Sequence, residues 1–145
     1  MGDCTITQLI SSDASTAESI RALIEQLTGR ESTFSEDDLR NVLQDSASRL
    51  FVMRHKERIV GMLTLGIYTC PTSRKVWLED VVIDSELRGK GLGEELVDYA
   101  INYVKEHLAP CSLMLTSRLS RVAANALYRK SGFEQRQTNV YKMSF

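Results

Sequence analysis

The stretch VWLEDVVIDSELRGKGLGEELVDYAINYV, residues Val76 to Val104, sets an apolar run, a glycine-studded basic loop and an amphipathic segment back to back. Val76–Asp84 alternates as a β-strand does. Leu92, Leu96, Val97, Ala100, Val104 and Leu108 fall on one helical stripe, and Pro110 ends it, so a helix is predicted over Leu92–Leu108. Between them lies Arg88-Gly89-Lys90-Gly91-Leu92-Gly93. Glycines cost chain entropy on folding, so this turn needs bare backbone for a reason. A helix N-terminus offers free N–H groups and the positive end of the helix dipole, which together bind phosphate. Arg88 and Lys90 add positive charge. The plain structural reading is a glycine-rich strand-to-helix turn.

Working outward, Cys4–Ile10 reads as an opening strand, and Ile20, Leu23, Ile24 and Leu27 mark a helix stopped by Gly29. Ser35 and Asp38 have the spacing of a capping box and start a second helix over Ser35–Asp45. Arg49–His55 and Arg58–Tyr68 form a hairpin turning at Lys56-Glu57. Beyond the central helix, Ser112–Ser117 is a short strand and Arg121–Ser131 a helix ended by Gly132. Phe133–Arg136 and Asn139–Met143 close the chain as two small strands. The order gives an α+β fold, one mixed central sheet flanked by helices, in a single domain over residues 1–145.

Composition narrows the function. The chain has 145 residues, 43% hydrophobic and 26% charged, values of an ordinary globular protein. No apolar run is long enough for a membrane span, and the first residues lack a signal-peptide pattern. Three distant cysteines, Cys4, Cys70 and Cys111, argue for a reducing compartment, so a cytoplasmic location is expected. His55 and His107 have no paired ligand spacing, so no metal is expected. Residues 1–84 carry 9 Lys and Arg against 13 Asp and Glu, whereas residues 85–145 carry 9 against 6. A mildly basic second half suits a small polyanion better than duplex DNA, and neither nucleic acid nor membrane is an expected partner.

Two phosphate motifs fail. A P-loop needs Ser or Thr after Gly-Lys, and Lys90 is followed by Gly91; a dinucleotide fingerprint needs GxGxxG opening a βαβ series, not Gly89-x-Gly91-x-Gly93 after a hairpin. The loop instead resembles the coenzyme A loop of the GNAT N-acetyltransferase superfamily, Gln/Arg-x-x-Gly-x-Gly/Ala. Asn125–Phe133, NALYRKSGF, resembles that superfamily's second motif, and the element order agrees along nearly the whole chain. The resemblance implies a central sheet with splayed strands, here Val76–Asp84 and Ser112–Ser117. It implies acetyl-CoA as donor and a primary amine, on a small molecule or peptide, as acceptor. The pyrophosphate would rest on Arg88, Gly89, Lys90, Gly91, Leu92 and Gly93, the pantetheine arm along Val81, Val82 and Ile83. Asn125 would contact pantetheine or phosphate, or else cap its helix. Many members dimerise, and a homodimer is compatible with this chain.

Acetyl transfer to an amine needs a base, a polarised thioester and a proton for the leaving thiolate. Strand alternation puts Trp77, Glu79, Val81 and Ile83 on one face and Leu78, Asp80 and Val82 on the other. Glu79 then sits among apolar neighbours that would raise its pKa towards that of a useful base, and several superfamily members carry a glutamate there. Asp80 is the understudy. Tyr128 matches the tyrosine that the superfamily uses to protonate the thiolate. The expected catalytic pair is Glu79 and Tyr128, acting by direct attack in a ternary complex. The alternative is a non-catalytic acyl-CoA-binding sensor using the same site.

Overall fold

In a computed structural model, residues 3–145 are described. The elements run β1 (Cys4–Gln8), α1 (Ala14–Thr28), α2 (Glu36–Gln44), β2 (Ser48–His55), β3 (Arg58–Cys70), β4 (Ser73–Ile83), α3 (Leu92–His107), β5 (Ser112–Met114) and α4 (Val122–Lys130), with a 3-10 turn at Ser85–Leu87. The chain divides into two compact units, Met1–Leu115 and Thr116–Phe145.

The first unit holds a five-stranded mixed sheet in the order β1-β2-β3-β4-β5. The first four strands are antiparallel neighbours, and β5 joins β4 in parallel. One face packs against α1 and α2. There Leu50, Val52, Met62 and Val82 share a cluster with Ala17, Ile20, Leu23 and Leu39. The other face carries Phe51, paired directly with Leu63 and buried against Tyr99 and Tyr103 of α3 at ring distances of 5.5 and 4.8 Å. Leu65, Val76 and Leu78 are buried on that same face, since Leu65 pairs with Leu78 and Ile67 with Val76. The apolar stripe of α3 is buried from Leu92 to Val104, as its sequence period requires.

Local chemistry sets the helix limits. Asp13 accepts from the Thr16 N–H to cap α1, and Gly29 ends it in the left-handed conformation at φ 69°. Ser35 and Asp38 form the expected capping box at α2. In α3, Glu94 and Glu95 occupy the first turn and Lys105 and His107 the last, both favourable to the helix dipole.

The second unit contains α4, followed by Gly132 at φ 105°. Tyr128 is its one buried helix residue, edge-on to Phe133 at 6.0 Å. The closing strands expected at Phe133–Arg136 and Asn139–Met143 do not form. Residues 134–145 have no strand pairing and are exposed. Short runs with an alternating pattern become strands only when a partner edge takes their backbone hydrogen bonds.

Phe51→Ala would remove the ring that joins sheet and α3. Its fully buried position predicts a loss of about 3–5 kcal/mol of stability, read as a lower urea midpoint.

Candidate active site

The site is built on the outer edge and end of β4. This strand pairs with β3 along its whole length, but with β5 only at Lys75, Val76 and Trp77. Among the described residues no strand flanks that edge from Leu78 to Ile83, so the expected splay between β4 and β5 is present. Val81 is half-buried and Val82 and Ile83 are buried, which leaves the edge backbone as the accessible part of this segment.

Inside this segment the register breaks. Met62 pairs with Val82 but Thr64 pairs with Glu79, so β4 has one more residue than β3 over that interval. The extra residue is accommodated at Asp80, whose φ is +52°. The left-handed region costs a non-glycine residue roughly 1–2 kcal/mol, and aspartate tolerates it better than most. The bulge corrects the faces expected from strict alternation. Glu79 shares the α1–α2 face with Trp77 and Val82, while Ile83, opposite Gly61, turns to the α3 face.

Glu79 is exposed at its tip, yet its carboxyl pKa is raised, first by partial burial and second by the neighbouring charge of Asp80. Among the described residues no ion pair holds it in the charged form. A carboxylate in this state accepts a proton more readily than an ordinary one.

The end of β4 is held by several elements. Gln26 of α1 accepts from the Ser85 N–H at 2.8 Å. Arg58 pairs with Asp84 at 3.2 Å and Glu86 at 3.5 Å, and Arg88 Nε donates to the Ile83 carbonyl at 3.1 Å. Arg88 thus clamps the strand end, a role its charge alone does not suggest. The chain then turns through Gly89 and Gly91, at φ +78° and +81°, directly into α3. Gly91 is the N-cap and, having no side chain, supplies no side-chain cap to the first-turn amides of α3. A β-carbon at either glycine would be strained by φ alone. An uncapped helix start fed by two left-handed glycines fits a pyrophosphate, and an unflanked strand edge fits an extended amide-bearing arm. The acids of the neighbourhood, Asp84, Glu86, Glu94 and Glu95, outnumber Arg88 and Lys90. An anion placed here would therefore be held by backbone amides and not by net side-chain charge.

Tyr128 and Asn125 lie on α4 of the second unit. Tyr128 is buried, and desolvation holds its phenol above the ordinary pKa; Arg121 offsets part of this through its charge and a hydrogen bond. At neutral pH it carries its proton. Asn125 Nδ2 donates to the Arg118 carbonyl at 3.0 Å and braces the chain entering α4.

Sequence reasoning missed the bulge at Asp80, the clamp by Arg88 and an aromatic pair beside Glu79, in which Trp77 Nε1 donates to Tyr68 Oη at 3.2 Å. The pair was legible in principle, because Trp77 lies two residues before Glu79 and Tyr68 ends the facing run. Among the described residues no group of three or more His, Cys, Asp or Glu side chains could hold a metal, and no helix is long and apolar enough to cross a membrane.

Comparison with known proteins agrees with this architecture. The sequence profile of the Acetyltransferase (GNAT) family matches residues 17–133. No curated protein matches the sequence. Among solved structures, an aminoglycoside acetyltransferase, meta-AAC0020, from an uncultured soil metagenomic sample, in complex with trehalose, superposes with a TM-score of 0.85 at 18% identity, over 99% of this chain and 98% of that one. AAC(6')-Iy in complex with the bisubstrate analog CoA-S-monomethyl-acetylneamine gives 0.79 at 17% identity, over 98% of each chain. A ribosomal-protein-alanine N-acetyltransferase from Brucella melitensis biovar Abortus 2308 gives 0.77 at 19% identity, over 98% of this chain and 99% of that one. At such identities these likenesses speak for the fold, and the profile match speaks for descent: the chain belongs to the GNAT acetyltransferase family and is an acetyltransferase.

Proposed function

We propose that residues 1–145 work as one cytoplasmic acetyl-CoA-dependent domain that transfers acetyl to a primary amine by direct attack in a ternary complex. One observation carries the reading: the unflanked edge of β4 leads, through the 3-10 turn at Ser85–Leu87, to a glycine loop that starts α3 without a side-chain cap. Amide-bearing arm and pyrophosphate of coenzyme A call for these two features in this order. Structural neighbours seen with a CoA-containing analog support the donor, and neighbours named for aminoglycoside and protein-alanine acetylation support an amine acceptor. No metal enters the proposed chemistry.

Acetyl-CoA, when bound, supplies an activated thioester. The edge backbone of Val81, Val82 and Ile83 holds the arm, and the strand amides near Val81 and Val82 polarise the carbonyl. The amides of Arg88, Gly89, Lys90, Gly91, Leu92 and Gly93 hold the pyrophosphate. Asn125 braces α4 and adds a polar contact to the donor. Glu79 takes the proton from the attacking amine, directly or through a water. Tyr128, a protonated phenol, returns a proton to the departing thiolate.

Calorimetry tests the donor assignment. Acetyl-CoA should bind and NAD should not, and Gly91→Trp, which crowds the loop amides, should abolish acetyl-CoA binding. Absence of binding to the native chain would reduce the loop to a turn. Glu79→Gln should lower kcat by about 10²–10⁴-fold with the acetyl-CoA Kd unchanged. Tyr128→Phe should also lower kcat while the thermal midpoint changes little.

The pH dependence follows from the raised Glu79 pKa. A base acts only when ionised, so activity falls as pH drops through that pKa, and raising the pKa moves the acid limb to higher pH. Asp80→Asn keeps a residue that tolerates φ +52° and removes the second cause of the shift. Its acid limb in a kcat–pH profile should move to lower pH, and in Glu79→Gln the limb should vanish.

A further inference from the structure

The α1–α2 face of the sheet continues along the β3–β4 hairpin. Thr64 there opposes Glu79, Gly66 opposes Trp77 and Tyr68 opposes Lys75. Strand alternation carries these side chains to the same face as Met62 and Val82.

Three features make this strip a floor. Gly66 opens it, because a β-carbon there would meet no atom within 4 Å. Trp77 and Tyr68 line it; Tyr68 is 51% exposed and Trp77 is half-buried. The indole N–H is already spent on Tyr68 Oη, at 3.2 Å, so a visiting molecule meets the apolar faces of these rings with the Tyr68 O–H as their remaining donor. Trp77 is also the last β4 residue paired with β5, so the floor ends where the unflanked strand edge begins.

Charge gives the floor a direction. Glu79 lies two residues from Trp77 on the same face, about 7 Å along the strand. An ammonium group is drawn to a carboxylate and to an aromatic face alike. At the opposite end Lys75 repels a second cation. The carboxylate end is therefore the amine end.

We infer that the acceptor is a primary amine borne on a ring, which lies over Gly66 against Trp77 while its amino group reaches Glu79. The inference rests on the acetyltransferase reading above and names the acceptor's class. The ring is either a sugar or an aromatic, since both present a flat face of C–H or π character to an indole. Tyr68 holds the indole edge in place.

Trp77 is the chain's one tryptophan, so it reports binding without any catalysis. The native protein is titrated with benzylamine, glucosamine and n-butylamine while tryptophan emission is followed. A saturable change with benzylamine or with glucosamine, at a concentration at least about tenfold lower than n-butylamine requires, is expected, and which of the two responds separates aromatic from sugar. The same response to all three amines, or to none, overturns the inference. In a second measurement Gly66→Leu places a side chain on the open floor. The ratio of kcat/KM for the responding ring amine to that for n-butylamine should fall at least about tenfold. An unchanged ratio also overturns it. Failure of the underlying reading looks different: a native protein that binds no acetyl-CoA in the calorimetric titration overturns that reading, whatever Trp77 reports.

Discussion

Everything in the first unit depends on how β4 satisfies its backbone hydrogen bonds. On one edge β3 pairs with it from Ser73 to Ile83; on the other β5 accompanies it for three residues and then leaves. Each backbone N–H and C=O needs a partner, and here the protein leaves a row of them to one side of a strand whose side chains are largely buried. Such an edge invites strand-like ligands. The rest of β4 is held from both faces and at its end. Val76 and Leu78 are locked under α3, Val82 is locked under α1, and the strand end is pinned by Gln26, Arg58 and Arg88.

The bulge at Asp80 belongs to the same constraint. An aspartate held at φ +52° stores strain, and it persists because both flanks of the bulge are fixed by pairing with β3. Its effect is to change the phase of the strand within one residue. Glu79 and Val82 then look to one side, where strict alternation would separate them. The carboxylate gains a partly dry setting and a charged neighbour, the two causes that raise its pKa.

Much of this was legible in the residues. The helix stripe from Leu92 to Leu108, the Ser35–Asp38 capping box and the glycine loop are local patterns, and each formed within a residue or so of its expected bounds. The family and the splayed strands followed from two local motifs in order. The bulge was not legible, because "LEDVV" alternates without fault and only the partner strand shows which residue is extra. The charge of Arg88 is visible in a sequence, whereas its bond to the Ile83 carbonyl is a product of the turn. The closing strands failed for the opposite reason. Asn139–Met143 has strand-like composition, but a strand is a relation between two segments, and residues 134–145 pair with none.

A β-strand offers two perpendicular directions for recognition, and β4 presents both. Its backbone groups point within the sheet plane, towards the side β5 abandons; its side chains point out of the plane, towards the α1–α2 face. On the proposed reading the donor binds along the first direction and the acceptor along the second. The two substrates then meet at a right angle without competing for the same atoms. The meeting point must lie where the edge opens and the face carries a base. Residues 77 to 80 supply both conditions within four positions: Trp77 ends the pairing with β5, Glu79 stands on the face, and Asp80 absorbs the bulge. A strict period-two strand could offer the open edge, but it would leave Glu79 out of phase with Val82 and with the packed ground under α1. The strained residue is therefore what brings carboxylate and strand edge into one usable geometry.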